Sequence, residues 1–311
     1  MKERAVSLGV NERAEARRAT WARVSARLAD YCALTKPGIT FYVALTGAAG
    51  FYLATPGPLA PGLLVHTLLG LTLATAGAAA LNHYLERDVD ARMHRTQQRP
   101  LAAERLNPRR AAWFAATLSI LGILQLLVFV GLAAALVTAA SLVSYVFVYT
   151  PLKRRSSICT LVGAVPGALP ILAGWVAAGG SASSPSAWAL FGILFLWQLP
   201  HSLSLAWLFR DDYRRGGLAI VTVSDPEGKS TGRQILFYTL ALLPVSLVPS
   251  FHGLTGTVYL VGAGIVSSLY LAAAVAMWRR PGARTARRLF LASLAYLPIL
   301  LALLVVDRAA G

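Results

Sequence analysis

Long apolar stretches separated by short polar ones organise this chain. No Asp, Glu, Lys or Arg occurs within 37–85, 111–152, 156–209, 234–278 or 289–306. A helix crossing the hydrocarbon core of a bilayer needs roughly 20 apolar residues. The first four stretches therefore hold two spans each and the last holds one. The pattern predicts nine transmembrane helices, near 38–55, 62–82, 111–129, 132–150, 157–178, 187–208, 234–251, 256–278 and 288–306. Small residues crowd several of them, at 70–80, 133–144 and 262–268, and small residues let membrane helices approach closely. The expected fold is all-α: one packed transmembrane bundle over 31–306, a basic N-terminal segment over 1–30 and a short tail over 307–311. Pro166, Pro170, Pro200, Pro244 and Pro298 fall in or at the ends of spans, where proline kinks a helix or borders a cavity.

Composition narrows the class. Apolar residues make up 56% of the chain and charged residues 14%, against about 25% charged in a soluble domain. A soluble enzyme, a disordered chain and a disulfide scaffold are excluded. Cys32 and Cys159 have no metal or disulfide spacing. The net charge is +16, a balance that also suits nucleic-acid binders, so placement has to decide. Of 29 Lys and Arg, 28 lie before the first span or in 87–110, 153–155, 210–233 and 279–288, all on one side; Arg308 is the exception. This positive-inside pattern predicts a cytoplasmic N-terminus and argues against nucleic acid. Residues 1–36 have no apolar run before a cleavage site, so no signal peptide is expected. Trp21, Val24, Leu28 and Tyr31 recur at helical spacing among arginines, which suits a helix lying on the membrane surface. A poorly ordered basic tail is the competing expectation for 1–15.

The acids carry the chemistry. Every Asp and Glu between residues 31 and 306 lies in one of two loops: Glu86, Asp88, Asp90 and Glu104 after the second span, and Asp211, Asp212, Asp225 and Glu227 after the sixth. Asn82, Glu86 and Asp90 are spaced i, i+4, i+8, so they share one face if the second span continues as a helix. Three oxygen donors there form half a site for Mg²⁺, which completes its shell with water and substrate phosphate oxygens. Asp88 lies off that row and is expected to pair with Arg92. Arg95, Arg99, Lys153 and Arg154 are expected to hold the remaining oxygens of a diphosphate. In the sixth span His201 follows Pro200, and an intramembrane ionisable residue is a functional candidate, although a packing role stays open. Asp212 serves either a second magnesium or a lysine of the opposite loop. Two acid-and-arginine loops over an apolar bundle suit a substrate with a diphosphate head and a hydrocarbon tail. Tyr145, Tyr149, Trp197, Trp207 and Tyr213 are placed to stabilise an allylic cation, or to form an interfacial belt.

The segment NHYLERDVDARMHRTQQRPL at 82–101 resembles the first acidic motif of the intramembrane prenyltransferase superfamily. Its RTxxRP continuation resembles the heme-farnesylating branch, the protoheme IX farnesyltransferases. YCALTKP at 31–37, YTPLKRRS at 149–156 and the run from WQLPH to RDDY at 197–213 are similar to the same branch. The resemblance spans roughly 30–305 and implies Mg²⁺-dependent transfer of a farnesyl group from farnesyl diphosphate to a vinyl group of heme b, giving heme O. Carried over by motif, Asn82, Glu86, Asp90 and Asp212 are catalytic, the first three of them metal ligands. Arg95, Arg99, Lys153 and Arg154 bind diphosphate, and His201 binds heme. The resemblance also implies partners in the lipid bilayer and association with heme-copper oxidase assembly. Two departures stand out. Gly38 follows the first KP where the family carries a basic residue, and Gly217-Leu218-Ala219-Ile220 replaces a GxPML run. Competing functions are prenyl transfer to a quinone precursor and, in a different class, a membrane transporter.

Overall fold

A computed structural model describes residues 18 and 20–308. The first 17 residues of the basic segment and residues 309–311 of the tail lie outside the described residues. Among the described residues the structure is helical without a β-strand, and nine helices are long and apolar enough to cross a membrane. They are α2 (Pro37–Ala54), α3 (Pro61–Asp90), α4 (Pro108–Phe129), α5 (Leu132–Val143) with its continuation to Leu152, α7 (Cys159–Ala177), α8 (Pro185–Leu208), α11 (Lys229–Phe251), α12 (Thr257–Arg279) and α13 (Ala283–Val306). Large apolar side chains such as Phe41, Trp113, Phe147, Phe237 and Leu269 point outward around the bundle. An apolar exterior on nine such helices makes this an integral membrane protein.

The expected spans agree with the helices to within a few residues on the sides without basic residues. On the basic side the helices run further: α3 reaches Asp90, α11 begins at Lys229 and α13 at Ala283. The apolar pattern marks the hydrocarbon boundary, and the helices continue past it.

Local chemistry explains the helix starts. Proline opens α2, α3, α4 and α8, where its missing N–H costs nothing and its fixed φ suits the first turn. Asn107 caps α4 by accepting from the N–H groups of Arg109 and Arg110 at 3.0 and 3.2 Å. At Pro37 the consequence reaches the site. The residue before a proline is pushed out of helical geometry, and Lys36 sits in the left-handed region at φ 48°. This kink separates α2 from the helix α1 over 20–34 and turns Lys36 inward. Within α1, Trp21, Val24 and Leu28 are exposed, while Tyr31 packs edge-on against Phe114 with ring centroids 5.0 Å apart.

The small residues do what their pattern predicts. Gly47 and Gly50 of α2 lie directly against the backbone of α7 at Gly174 and Ile171. Gly122 of α4 lies against the backbone of α3 at Gly70 and Ala74, and a Cβ at any of them would collide. Beyond α7, α8 packs on α11 and α13, and α12 joins those two. A π-helical turn over Ser144–Tyr149 interrupts the fourth span before its last turn, α6 (Thr150–Leu152). Pro151 has no N–H to continue the α-helical ladder, and wide turns of this kind concentrate at functional sites. Arg308, off the charge pattern, places its guanidinium 4.9 Å from the Tyr52 ring centroid and donates to the Thr55 carbonyl.

Candidate active site

Because α3 continues to Asp90, Asn82, Glu86 and Asp90 stack on one face of a single helix. All three are buried, and all three line a cavity of about 400 Å³ that runs from the two long loops into the bundle. The wall opposite comes from the π-helical turn, which contributes Tyr145 and Tyr149, and from Lys153 beyond it.

Every oxygen donor of the row has its own cation. Lys36 Nζ donates to Asn82 Oδ1 at 2.8 Å, Lys153 Nζ to Glu86 Oε1 at 2.8 Å, and Arg99 Nη1 to both Asp90 oxygens at 2.8 Å. Asn82 also donates through Nδ2 to Thr150 Oγ1 at 3.1 Å, which fixes its carbonyl oxygen toward Lys36. Burial, with Arg99 and Lys153 close by, pushes the Lys36 ammonium down to about 7. Among the described residues no three His, Cys, Asp or Glu form a metal cluster. The donor set here is two carboxylates and an amide, all hard oxygen donors, and a set this sparse suits Mg²⁺, which keeps water and phosphate in its shell.

Lys36 was not among the residues expected from the sequence. Its only sequence signal is the KP pair that makes it turn. Arg95 and Arg99 line the cavity as expected, Arg95 with its guanidinium 5.3 Å from the Phe209 ring centroid. Lys153 also lines it. Arg154 does not: its guanidinium donates to the Leu85 carbonyl at 3.1 Å on the exposed side of α3. Asp88 pairs with Arg87 at 3.6 Å rather than with Arg92. The helix ends at Asp90 and the chain tightens there, Arg92 N donating to the Val89 carbonyl at 3.0 Å, so Arg92 leaves the i, i+4 register with Asp88.

Asp212 lies in the short helix α9 (Arg210–Gly216) and its carboxylate turns toward the other loop. It accepts from the backbone N–H groups of His94 and Arg95, both at 3.1 Å, and pairs with Arg215. Burial works against the carboxylate, but Arg215 and the two N–H groups outweigh it and hold the group below the usual carboxylate range. None of these partners is a lysine of the opposite loop; Arg215 of its own helix takes that place. The residues that replace the expected proline and methionine still build a wall. Gly217 takes a left-handed turn at φ 71°, Ala219 N donates to the Lys153 carbonyl at 2.7 Å, and Leu218 and Ile220 line the cavity.

His201 lines the same cavity, one helix away. Its ring stacks between Trp197 and Phe290, with centroids 5.1 and 5.0 Å away. Its Nδ1 lies 2.7 Å from Ser293 Oγ, whose hydroxyl donates to the Phe290 carbonyl at 2.6 Å. A hydroxyl has one proton; with that proton on the Phe290 carbonyl, Ser293 accepts from His201 and the free lone pair is on Nε2. Of the five aromatics expected near the loops, Tyr145, Tyr149 and Tyr213 line the cavity. Trp207 is buried beneath Arg210, and Trp197 serves as the stacking partner of His201.

Comparison with known proteins places the fold and the family. The protoheme IX farnesyltransferase of Solibacter usitatus is 42% identical over 288 residues, covering 90% of this chain and 98% of that protein. The protoheme IX farnesyltransferase of Salinibacter ruber is 43% identical over 285 residues, covering 89% and 98%. Among solved structures, a digeranylgeranylglyceryl phosphate synthase superposes with a TM-score of 0.76 at 18% identity, over 91% of this chain and 98% of that one. A UbiA homologue from Archaeoglobus fulgidus bound to GPP and Mg²⁺ superposes at 0.64 and 16% identity, over 88% and 99%. The profile of the UbiA prenyltransferase family matches residues 43–297, and the chain belongs to that family of enzymes.

Proposed function

We propose that this enzyme transfers a farnesyl group from farnesyl diphosphate to a vinyl group of heme b, giving heme O and diphosphate, with the active site at the cytoplasmic face of a bacterial inner membrane. The observation that carries the reading is the row Asn82–Glu86–Asp90, buried against one cavity and matched donor for cation. The names of the relatives favour heme as acceptor over a quinone precursor.

Asn82, Glu86 and Asp90 would hold magnesium, which when bound offsets charge on the leaving diphosphate. Lys36, Arg95, Arg99 and Lys153 face the same end of the cavity and take the remaining phosphate oxygens. Buried cations act strongly there because little water screens them. Departure of diphosphate breaks the C–O bond and leaves an allylic cation. The vinyl carbon of heme attacks it, and water then adds to the new cation beside the macrocycle, releasing a proton. Tyr145 and Tyr149 present their rings along the cavity and stabilise the cation through their π faces. The apolar walls keep water from the allylic cation until the carbon–carbon bond has formed. His201 binds the heme side with its Nε2 lone pair. Asp212 acts at one remove, holding the backbone of His94 and Arg95 so that Arg95 and Arg99 face the cavity.

The test is to incubate purified protein with heme b, farnesyl diphosphate and Mg²⁺ and to analyse the hemes by mass spectrometry. A heme carrying the hydroxyethylfarnesyl group, lost on adding EDTA, is the expected result. Transfer to a quinone precursor with none to heme would move the acceptor to another branch of the family.

A further inference from the structure

We propose that Leu71 is the floor of the prenyl channel and that the distance from Glu86 down to Thr75 sets the chain length the enzyme accepts. This rests on the reading that a prenyl diphosphate binds with its head at Glu86 and its tail in the cavity.

The cavity's lining extends furthest along α3. Its lining on that helix runs from Asp90 through Glu86, Asn82 and Ala79 to Thr75 and stops there. Eleven residues separate Glu86 from Thr75, which at the helical rise is about 16 Å. An isoprene unit adds four chain bonds, roughly 5 Å when extended at ordinary C–C lengths. Three units fill the channel, and a fourth would have to pass Thr75.

Beyond Thr75 the space all but closes. A separate chamber of about 30 Å³ continues the same line, sharing Thr75, Ser141 and Pro170 with the main cavity and bounded by Leu71 and Leu142. That volume holds little more than a water molecule, far less than an isoprene unit. Leu71 is fully buried one turn below Thr75, and its side chain rests directly on Gly47 of α2. Where Gly47 lacks a side chain, Leu71 fills the gap between α2 and α3 and blocks the path. Two of the three hydroxyls lining the chamber are already engaged. Ser141 Oγ donates to the Pro166 carbonyl at 2.8 Å, a group left without its helical donor because Pro170 has no N–H. Thr138 Oγ1 donates within its own helix to the Ala134 carbonyl at 2.8 Å. Leu71 thus closes the path with hydrocarbon, and the Ser141 and Thr138 hydroxyls beside it are tied to backbone carbonyls.

Two substitutions move the floor in opposite directions. Leu71→Ala joins the chamber to the channel and lowers the floor by one helical turn, about 5 Å, which is one isoprene unit. Thr75→Leu raises it. Each purified variant would be given an equimolar mixture of the ten-, fifteen- and twenty-carbon prenyl diphosphates with acceptor and Mg²⁺, and the products resolved by mass. Leu71→Ala is expected to raise the twenty- to fifteen-carbon product ratio at least tenfold. Thr75→Leu is expected to raise the ten- to fifteen-carbon ratio at least tenfold, the scale at which a pocket discriminates by hydrocarbon size. General damage to the bundle would not shift preference both ways. Unchanged ratios in both variants, with wild-type turnover intact, would overturn the floor. If Leu71→Ala does not fold, an unchanged ratio in Thr75→Leu alone overturns it. Failure of the wild-type protein to use any prenyl diphosphate would instead overturn the reading on which it rests.

Discussion

Asp90→Ala separates a catalytic from a structural role for the buried acids. Asp90 is 1% exposed and accepts two hydrogen bonds from Arg99 at 2.8 Å, while the Arg99 side chain keeps 24% of its surface accessible. Breaking a fully buried pair costs about 3–5 kcal/mol because the surviving charge is stranded. Arg99 borders the cavity and can turn toward water there, so a loss of about 1–2 kcal/mol in stability is the expectation. The bundle itself, built on α3–α4 and α2–α7 backbone contacts remote from Asp90, stays inserted. The loss in turnover is larger. Removing one group that opposes developing charge in a closed site costs about 10²–10³ in rate, roughly 2.7–4 kcal/mol.

Arg99→Ala and the double variant complete the cycle. If Asp90 serves only to hold Arg99, removing both relieves the stranded charge and activity recovers toward that of Arg99→Ala alone. If Asp90 is a metal ligand, the double variant is no more active than Asp90→Ala, although its thermal stability recovers. The assay is single-turnover transfer in detergent with a melting curve on the same sample. An active Asp90→Ala enzyme, or a double variant as active as Arg99→Ala, would refute the ligand assignment.

Ser293→Ala should weaken heme binding about tenfold in an absorbance titration, through loss of one hydrogen bond to the imidazole, with Ser293→Thr restoring it and the diphosphate KM unmoved; equal affinity in all three proteins would remove the tautomer argument. Ser141→Ala strands the Pro166 carbonyl and should cost about 1–3 kcal/mol, read as a lowered melting temperature; an unchanged melting curve counts against the bond. For Asp212 the sign is that of a carboxylate held below its ordinary value. Its stabilisation is present above the unfolded pKa of about 3.9 and disappears as pH falls through the lower folded value. Wild type should therefore exceed Asp212→Asn in melting temperature by a constant margin from pH 8 to 5, converging only below about 4; a margin that closes between pH 7 and 5 would contradict this.

Much of the site could be read along the chain because it lies on one helix. Asn82, Glu86 and Asp90 are neighbours through backbone geometry alone, so i, i+4, i+8 spacing locates them once α3 is known to continue. The same rule fails for Asp88 and Arg92, since Arg92 lies beyond the helix end. Lys36 and Asp212 belong to the other class. Lys36 reaches Asn82 because the chain leaves helical geometry before Pro37 in a left-handed turn and α2 packs against its neighbours. Asp212 meets His94 and Arg95 across more than a hundred residues of chain, and nothing local to RDDY announces that contact. The chamber below Thr75 is less legible still, being the space left over when Gly47, Leu71 and Pro170 come together.

Why three cations should be spent on three oxygen donors follows from burial. Two buried carboxylates one helical turn apart would repel one another and suffer the loss of hydration. Lys153 and Arg99 neutralise them directly, and Lys36 is left on the neutral Asn82, where burial lowers its pKa to about 7. A ligand that brings both magnesium and diphosphate adds only a small net charge and exchanges these partners: the metal takes the oxygens, and the freed cations take the phosphate. Magnesium alone would have to displace three cations that then find no counter-charge, and diphosphate alone would leave both carboxylates facing it. The arrangement therefore predicts strongly cooperative uptake. In a calorimetric titration, Mg²⁺ should bind at least tenfold more tightly in the presence of a non-hydrolysable prenyl diphosphate, with the reciprocal gain for the diphosphate. Independent binding of the two would mean that the ion pairs seen here are not the ones exchanged.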